Sequence, residues 1–125
     1  MALASENLTK NQKTVLNVLE NSSEPMKAYT ILYDIQKKGI KSPLQVYRAL
    51  DRLIEIGKVH KIESRNSYVA CKHEGCNAKT STSFLICENC DSVTELTGNN
   101  LFSYFSKQAE KNKFNYKKHN LEIFG

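Results

Sequence analysis

A chain of 125 residues, 40% hydrophobic and 25% charged, is one ordinary globular domain or two very small ones. No stretch approaches the ~20 apolar residues needed to span a bilayer, and residues 1–8 carry neither the basic cluster nor the apolar run of a secretory signal, so the chain is expected to be soluble and cytoplasmic. The net charge of +5 is lopsided: residues 1–72 hold 12 Lys+Arg against 7 Asp+Glu, and residues 73–125 hold 6 of each, which suits a nucleic-acid-binding half joined to a neutral one.

Thr9 and Gln12 have capping-box spacing, which predicts a helix starting at Thr9. Val15, Leu16 and Leu19 share one face of it, and Asn21-Ser22-Ser23 ends the pattern. A second helix is expected near Pro25, with Ala28, Ile31, Leu32 and Ile35 as its buried stripe and Gly39 as its stop. The third carries the strongest signals: a Ser42/Gln45 capping box, Pro43 in the first turn and Gly57 at the end. Val46, Ala49, Leu50, Leu53 and Ile54 face inward, while Gln45, Tyr47, Arg48, Asp51, Arg52 and Glu55 lie on the other side. Strands over 59–63 and 67–71, joined around Ser64-Arg65-Asn66, complete a winged helix-turn-helix over residues 1–72, whose last helix enters the major groove. Arg48 suits a bidentate contact with guanine, and Tyr47 offers a ring for a thymine methyl or a hydroxyl for phosphate. Gln45 lies beside them at the N-terminal end that meets base edges. Arg65, at the tip of the wing, is placed for a phosphate. Tyr and Arg on an exposed helix face are often only solvated; the basic three-helix-plus-wing pattern is what favours DNA contact here.

Residues 73–125 read as a strand (84–86), a Cys-x-x-Cys knuckle, a strand (93–96), a helix and a final strand. Leu101, Phe102, Phe105 and Ala109 line one helix face, and Phe114, Tyr116, Leu121 and Ile123 supply the last extended segment. The whole is an α+β fold, a winged helix-turn-helix followed by a small α/β dimerisation domain. A unit this small buries only ~60% of its unfolded-chain surface, so a homodimer is expected, matching the two-fold symmetry of operators.

Cys71, Cys76, Cys87 and Cys90 fall within 20 residues, with His60 and His73 nearby. Without a secretory signal, metal binding is a better reading than a disulfide framework. Cys87-Glu88-Asn89-Cys90 can present two thiolates to one zinc from a tight turn. Cys71 and Cys76 could complete a single structural ribbon with them. On the other reading a four-residue wing loop sets His60 opposite Cys71, close enough for imidazole and thiolate to share a separate ion at ~2.0–2.3 Å. Spacing leaves both open. It reads His73 as a ligand or a loop residue, Glu95 as an ordinary carboxylate and His119 as a surface residue. No nucleophile–base arrangement or phosphate loop is present, so no enzyme is expected. A Cys-x-x-Cys oxidoreductase would need a βαβ context that is missing.

Several segments together resemble the ferric uptake regulator (Fur) family, in its zinc uptake regulator (Zur) branch. They are Leu8-Thr9-Lys10-Asn11-Gln12-Lys13-Thr14-Val15-Leu16, Val46-Tyr47-Arg48-Ala49-Leu50-Asp51, Val59-His60-Lys61-Ile62-Glu63-Ser64, Ser67-Tyr68-Val69-Ala70-Cys71 and Phe84-Leu85-Ile86-Cys87-Glu88-Asn89-Cys90. The resemblance implies that Tyr47 and Arg48 contact operator DNA, that His60, Cys71 and Glu95 hold a regulatory zinc, and that Cys87 and Cys90 belong to a separate structural zinc. Thr80 stands where the branch usually has a further His. The fourth regulatory ligand is then Cys76 or His73, with Cys76 preferred because thiolate suits zinc. Members usually carry another Cys-x-x-Cys just past the position of Gly125, absent from this sequence, so Cys76 is also a candidate for the structural site. The implied function is a zinc-dependent repressor of zinc-uptake genes acting as a homodimer on operator DNA, with no membrane and no small-molecule substrate. The alternatives are a winged-helix regulator with one purely structural zinc, or a sensor of another divalent metal.

Overall fold

In the computed structural model, which describes residues 7–71, 81–96 and 100–125, helix α1 (Lys10–Glu20) starts from a reciprocal cap. The Gln12 N–H donates to Thr9 Oγ1 at 3.2 Å, and the Thr9 N–H donates to Gln12 Oε1 at 3.0 Å. Two of the helix's orphan donors are thereby satisfied. Helix α2 spans Ala28–Ile35 and passes into a 3₁₀ turn, Gln36–Lys38, closed by Gly39 at φ +96°. It therefore starts three residues later than Pro25 suggested. Met26 is taken up instead by a two-way backbone bridge with Tyr68, its N–H donating at 3.0 Å and its carbonyl accepting at 2.8 Å.

Helix α3 (Pro43–Glu55) begins at Ser42, with Pro43 in the first turn. It ends in a Schellman motif: the Lys58 N–H reaches Leu53 O at 2.8 Å and the Gly57 N–H reaches Ile54 O at 3.0 Å. Gly57 sits at φ +81°, where a Cβ would be strained. Val46, Leu50 and Leu53 of α3 are fully buried, packed with Val15 and Leu19 of α1 and Ile31 and Ile35 of α2. This is the amphipathic stripe read from the sequence, and it fixes which side of α3 faces outward.

Strands β1 (Val59–Ile62) and β2 (Ser67–Ala70) form the antiparallel wing, with Val59 opposite Ala70 and Ile62 opposite Ser67. A 3₁₀ turn, Glu63–Arg65, and Asn66 in the left-handed region (φ 48°, ψ 45°) make the connection. Asn tolerates that conformation better than most residues.

The chain divides into two units, Met1–Ala78, which holds these elements, and Lys79–Gly125. In the second, β3 (Thr82–Ile86) is the central strand of three, in the order β4-β3-β5. Strand β4 (Val93–Glu95) pairs with it antiparallel, and β5 (Asn120–Phe124) pairs with it parallel. A parallel neighbour needs a crossover, and α4 (Asn100–Lys111) lies in that connection. Phe84 and Ile86 are buried, whereas Leu85 between them is exposed, the alternation of a sheet with one covered face.

Candidate nucleic-acid interface and metal sites

The outward face of α3 carries Leu44, Gln45, Arg48, Asp51, Arg52 and Glu55, all exposed. Arg52 is ion-paired with Glu55 one turn on. Arg48 has no ion-pair partner among the described residues, so its five donors are available to a ligand. Tyr47 differs from its sequence assignment: it is half-buried and packs against the core, because the inward stripe is wide enough to cover part of its ring. Gln45 is committed on one side, its Oε1 accepting from the Lys41 and Ser42 N–H groups at 3.3 and 3.4 Å. Arg65 is half-buried within the wing turn rather than extended into solvent, and its carbonyl accepts from Ser67 Oγ at 2.9 Å. Leu44, 55% exposed in the first turn of α3, was not singled out by the sequence pattern; its position just before the inward stripe is the signal that could have found it.

The wing donors sit differently from the sequence expectation. His60 is opposite Val69, not Cys71. The four residues of the connection close with Ile62 opposite Ser67, and Cys71 falls opposite Lys58, donating its N–H to Lys58 O at 2.9 Å. The offset is two residues, so His60 and Cys71 keep to one face of the ribbon as diagonal neighbours, a pairing whose side chains are ~7–8 Å apart at the backbone. His60 is buried, 7% exposed. Cys71 is disulfide-bonded; as a zinc ligand it must be reduced and deprotonated. Cys76, His73 and Thr80 lie outside the described residues. Glu95 ends β4, half-buried, with Phe84 opposite.

The knuckle after β3 is a tight turn. The Asp91 N–H donates to Cys87 O at 2.9 Å, with Asp91 in the left-handed region (φ 61°), and the Cys87 N–H donates to Ser92 O at 2.9 Å. Cys87 and Cys90 are free thiols. The Cys90 thiol, fully exposed, is held below its ordinary pKa by hydrogen bonds from Ser92 and from Cys87. Two adjacent thiols on a turn fit half of a tetrahedral zinc site. The end of β5 is fastened to this turn, with Gly125 N–H to Ile86 O at 3.1 Å and Glu88 N–H to Gly125 O at 2.7 Å. Among the described residues, no three His, Cys, Asp or Glu side chains converge on a common point.

His119 is not the surface residue its spacing suggested. It is half-buried, with Nε2 3.2 Å from Ser83 Oγ, Nδ1 2.6 Å from Tyr116 OH, and the Phe105 ring edge-on at 5.0 Å. Desolvation holds its pKa below the ordinary histidine value. The parallel pairing of β5 with β3 creates this pocket, and no local pattern announces such a pairing.

Beside the knuckle, a groove of about 300 Å³ is lined by Leu85, Ile123 and Phe124 with Thr94 and Ser92. Helix α4 has no fully buried residue, and Phe102 and Tyr104 are at least half exposed. Among the described residues, no helix is long and apolar enough to cross a membrane.

The sequence pattern of the Ferric uptake regulator family matches residues 4–124. Over 89 residues the chain is 39% identical to the "Zinc uptake regulation protein" of Escherichia coli (strain K12), a stretch covering 70% of this chain and 52% of that protein. The chain thus spans about half the length of this curated relative. Two solved structures are similar over nearly the whole chain. The crystal structure of holo XcZur has TM-score 0.84 at 36% identity, covering 97% of this chain and 86% of the other. A zinc uptake regulator complexed with zinc and DNA has TM-score 0.87 at 29% identity, covering 98% and 84%.

Proposed function

Because this chain belongs to the ferric uptake regulator family, we propose that it is a zinc-responsive repressor of zinc-uptake genes that binds operator DNA as a homodimer in the cytoplasm. The observation that carries the reading is one winged helix holding both parts of such a device. An exposed α3 presents Arg48 to a ligand, and the adjoining wing sets the imidazole of His60 and the sulfur of Cys71 on one face. The relatives named for zinc uptake support the choice of metal.

The DNA contacts we assign are Arg48 and Gln45 to base edges, Tyr47 through the exposed part of its ring or its hydroxyl, and Arg65 to phosphate. The regulatory zinc we assign to His60, Cys71 and Glu95, with Cys76 as fourth ligand, and a structural zinc to Cys87 and Cys90. Bound zinc would supply a fixed crosslink among its ligands. A dimer must present two recognition helices ~34 Å apart to reach successive major grooves, and a crosslinked chain loses less conformational freedom in adopting one such spacing. His60 must be neutral and Cys71 a thiolate, so acid and oxidation both oppose zinc loading. For the dimer, the exposed aromatic residues of α4 and the groove at Leu85, Ile123 and Phe124 supply apolar surface that a second copy would cover.

A second reading, a winged-helix regulator with one structural zinc, is favoured by the disulfide at Cys71. DNA binding by His60→Ala separates the two. A zinc sensor loses its response to added zinc while keeping the knuckle metal; under the second reading the variant binds DNA like the wild type.

A further inference from the structure

Gln45 has only half of its amide to offer. Its Oε1 faces two backbone N–H groups, of Lys41 and Ser42, at 3.3 and 3.4 Å. Both neighbours are donors, so the atom turned towards them has to be the acceptor, and the NH₂ group is what the exposed side chain has left. Glutamine's usual bidentate contact with adenine needs a donor and an acceptor together. A capped Gln45 can therefore only donate, to guanine O6 or N7, adenine N7 or thymine O4. Leu44, the preceding residue, decides between them. It is 55% exposed, while its N–H is fixed on Ser42 Oγ at 3.2 Å by the same cap. Among the four bases only thymine combines a major-groove acceptor with an apolar group, its C5-methyl.

From this, and resting on the DNA-binding role proposed above, we propose that the first turn of α3 is a thymine reader. Leu44 packs on the C5-methyl, and the Gln45 amide donates to O4. The capping box that starts the helix thus also sets what the helix can read, by occupying the acceptor that a bidentate contact with adenine requires.

The test begins with duplexes selected from a randomised pool by the zinc-loaded chain, after which each thymine of the selected site is replaced in turn by deoxyuridine, which lacks only the methyl. At one or more positions the replacement lowers wild-type affinity severalfold, and Leu44→Ala, an exposed change, binds the two duplexes equally. Gln45→Glu keeps an oxygen for the two cap N–H groups but has no donor. It therefore unfolds at the wild-type midpoint, loses about tenfold in affinity for the thymine site, and shifts its preference there towards cytosine, whose N4 donates. Leu44→Ala as sensitive to deoxyuridine as the wild type, or Gln45→Glu with unaltered base preference, would overturn the proposal. So would a loss by Gln45→Glu that is uniform over all sequences, which would put the amide on a phosphate. Failure of the wild type to enrich any duplex would overturn the DNA-binding reading itself, and this proposal with it.

Discussion

Replacing Leu50 by Ala tests whether helix α3 is positioned by the core behind it. Leu50 is fully buried within the cluster formed by α1, α2 and α3. Its whole side chain is therefore withdrawn from water on folding. The substitution removes three carbons, worth about 2.4 kcal/mol at ~0.8 kcal/mol per methylene. A cavity term is added because the neighbours, Val46 and Leu53 among them, relax only in part, bringing the total to roughly 3–4 kcal/mol. Small domains have about 5–15 kcal/mol in all, so the loss is large. Urea unfolding followed by circular dichroism measures it. With a slope of roughly 2 kcal/mol per molar, the midpoint falls by about 1.5–2 M at constant slope. Leu44→Ala, two positions past the cap and more than half exposed, is the control and should move stability by less than about 0.5 kcal/mol. A Leu50→Ala protein within 0.5 kcal/mol of the wild type would refute the packing argument.

Ser42→Ala removes the hydroxyl that accepts the Leu44 N–H, and should cost about 0.5–2 kcal/mol in the same unfolding assay. His119 is held below its ordinary pKa by burial, so the unfolded chain takes up the proton first. Its contribution to stability is complete above about pH 6.5 and is lost as pH falls below it; unfolding of zinc-free protein across that range should show this slope, and His119→Asn should flatten it. Zinc analysis under reducing conditions should find two ions per chain in the wild type and one in Cys87→Ser. Without reductant, the disulfide at Cys71 should cost the wild type its regulatory zinc while leaving the free Cys87 and Cys90 able to bind.

What could be read in the sequence was whatever neighbouring residues decide among themselves. The caps at Thr9 and Ser42 are bonds across three residues or fewer, and both are formed as their spacing implies. The inward stripe of α3 was legible because its period matches a helix and nothing interrupts it. The start of α2 was not, because Tyr68, far along the chain, recruits Met26 into a bridge and leaves Pro25 outside the helix. The same limit applies to the wing. Both strands were visible, but register depends on how the turn closes. Three residues in 3₁₀ conformation and a left-handed Asn66 place His60 against Val69, where a different closure would have placed it against Cys71. His119 was misjudged for a related reason: β5 lies parallel to β3, and the partners that meet the imidazole are Ser83, Phe105 and Tyr116. Tyr47 shows that a helical period assigns faces but not their edges, since a residue at the border of the stripe is half in the core.

The central claim is that zinc and DNA favour the same state of the chain, and linkage makes it measurable from the metal side. Zinc affinity of the reduced protein is titrated at fixed salt with and without a selected duplex. If zinc tightens DNA binding by some factor, the duplex must tighten zinc binding by the same factor, commonly about 5–150-fold. That reciprocal gain is the predicted result, and it should vanish in His60→Ala. A zinc affinity indifferent to the duplex would contradict the account.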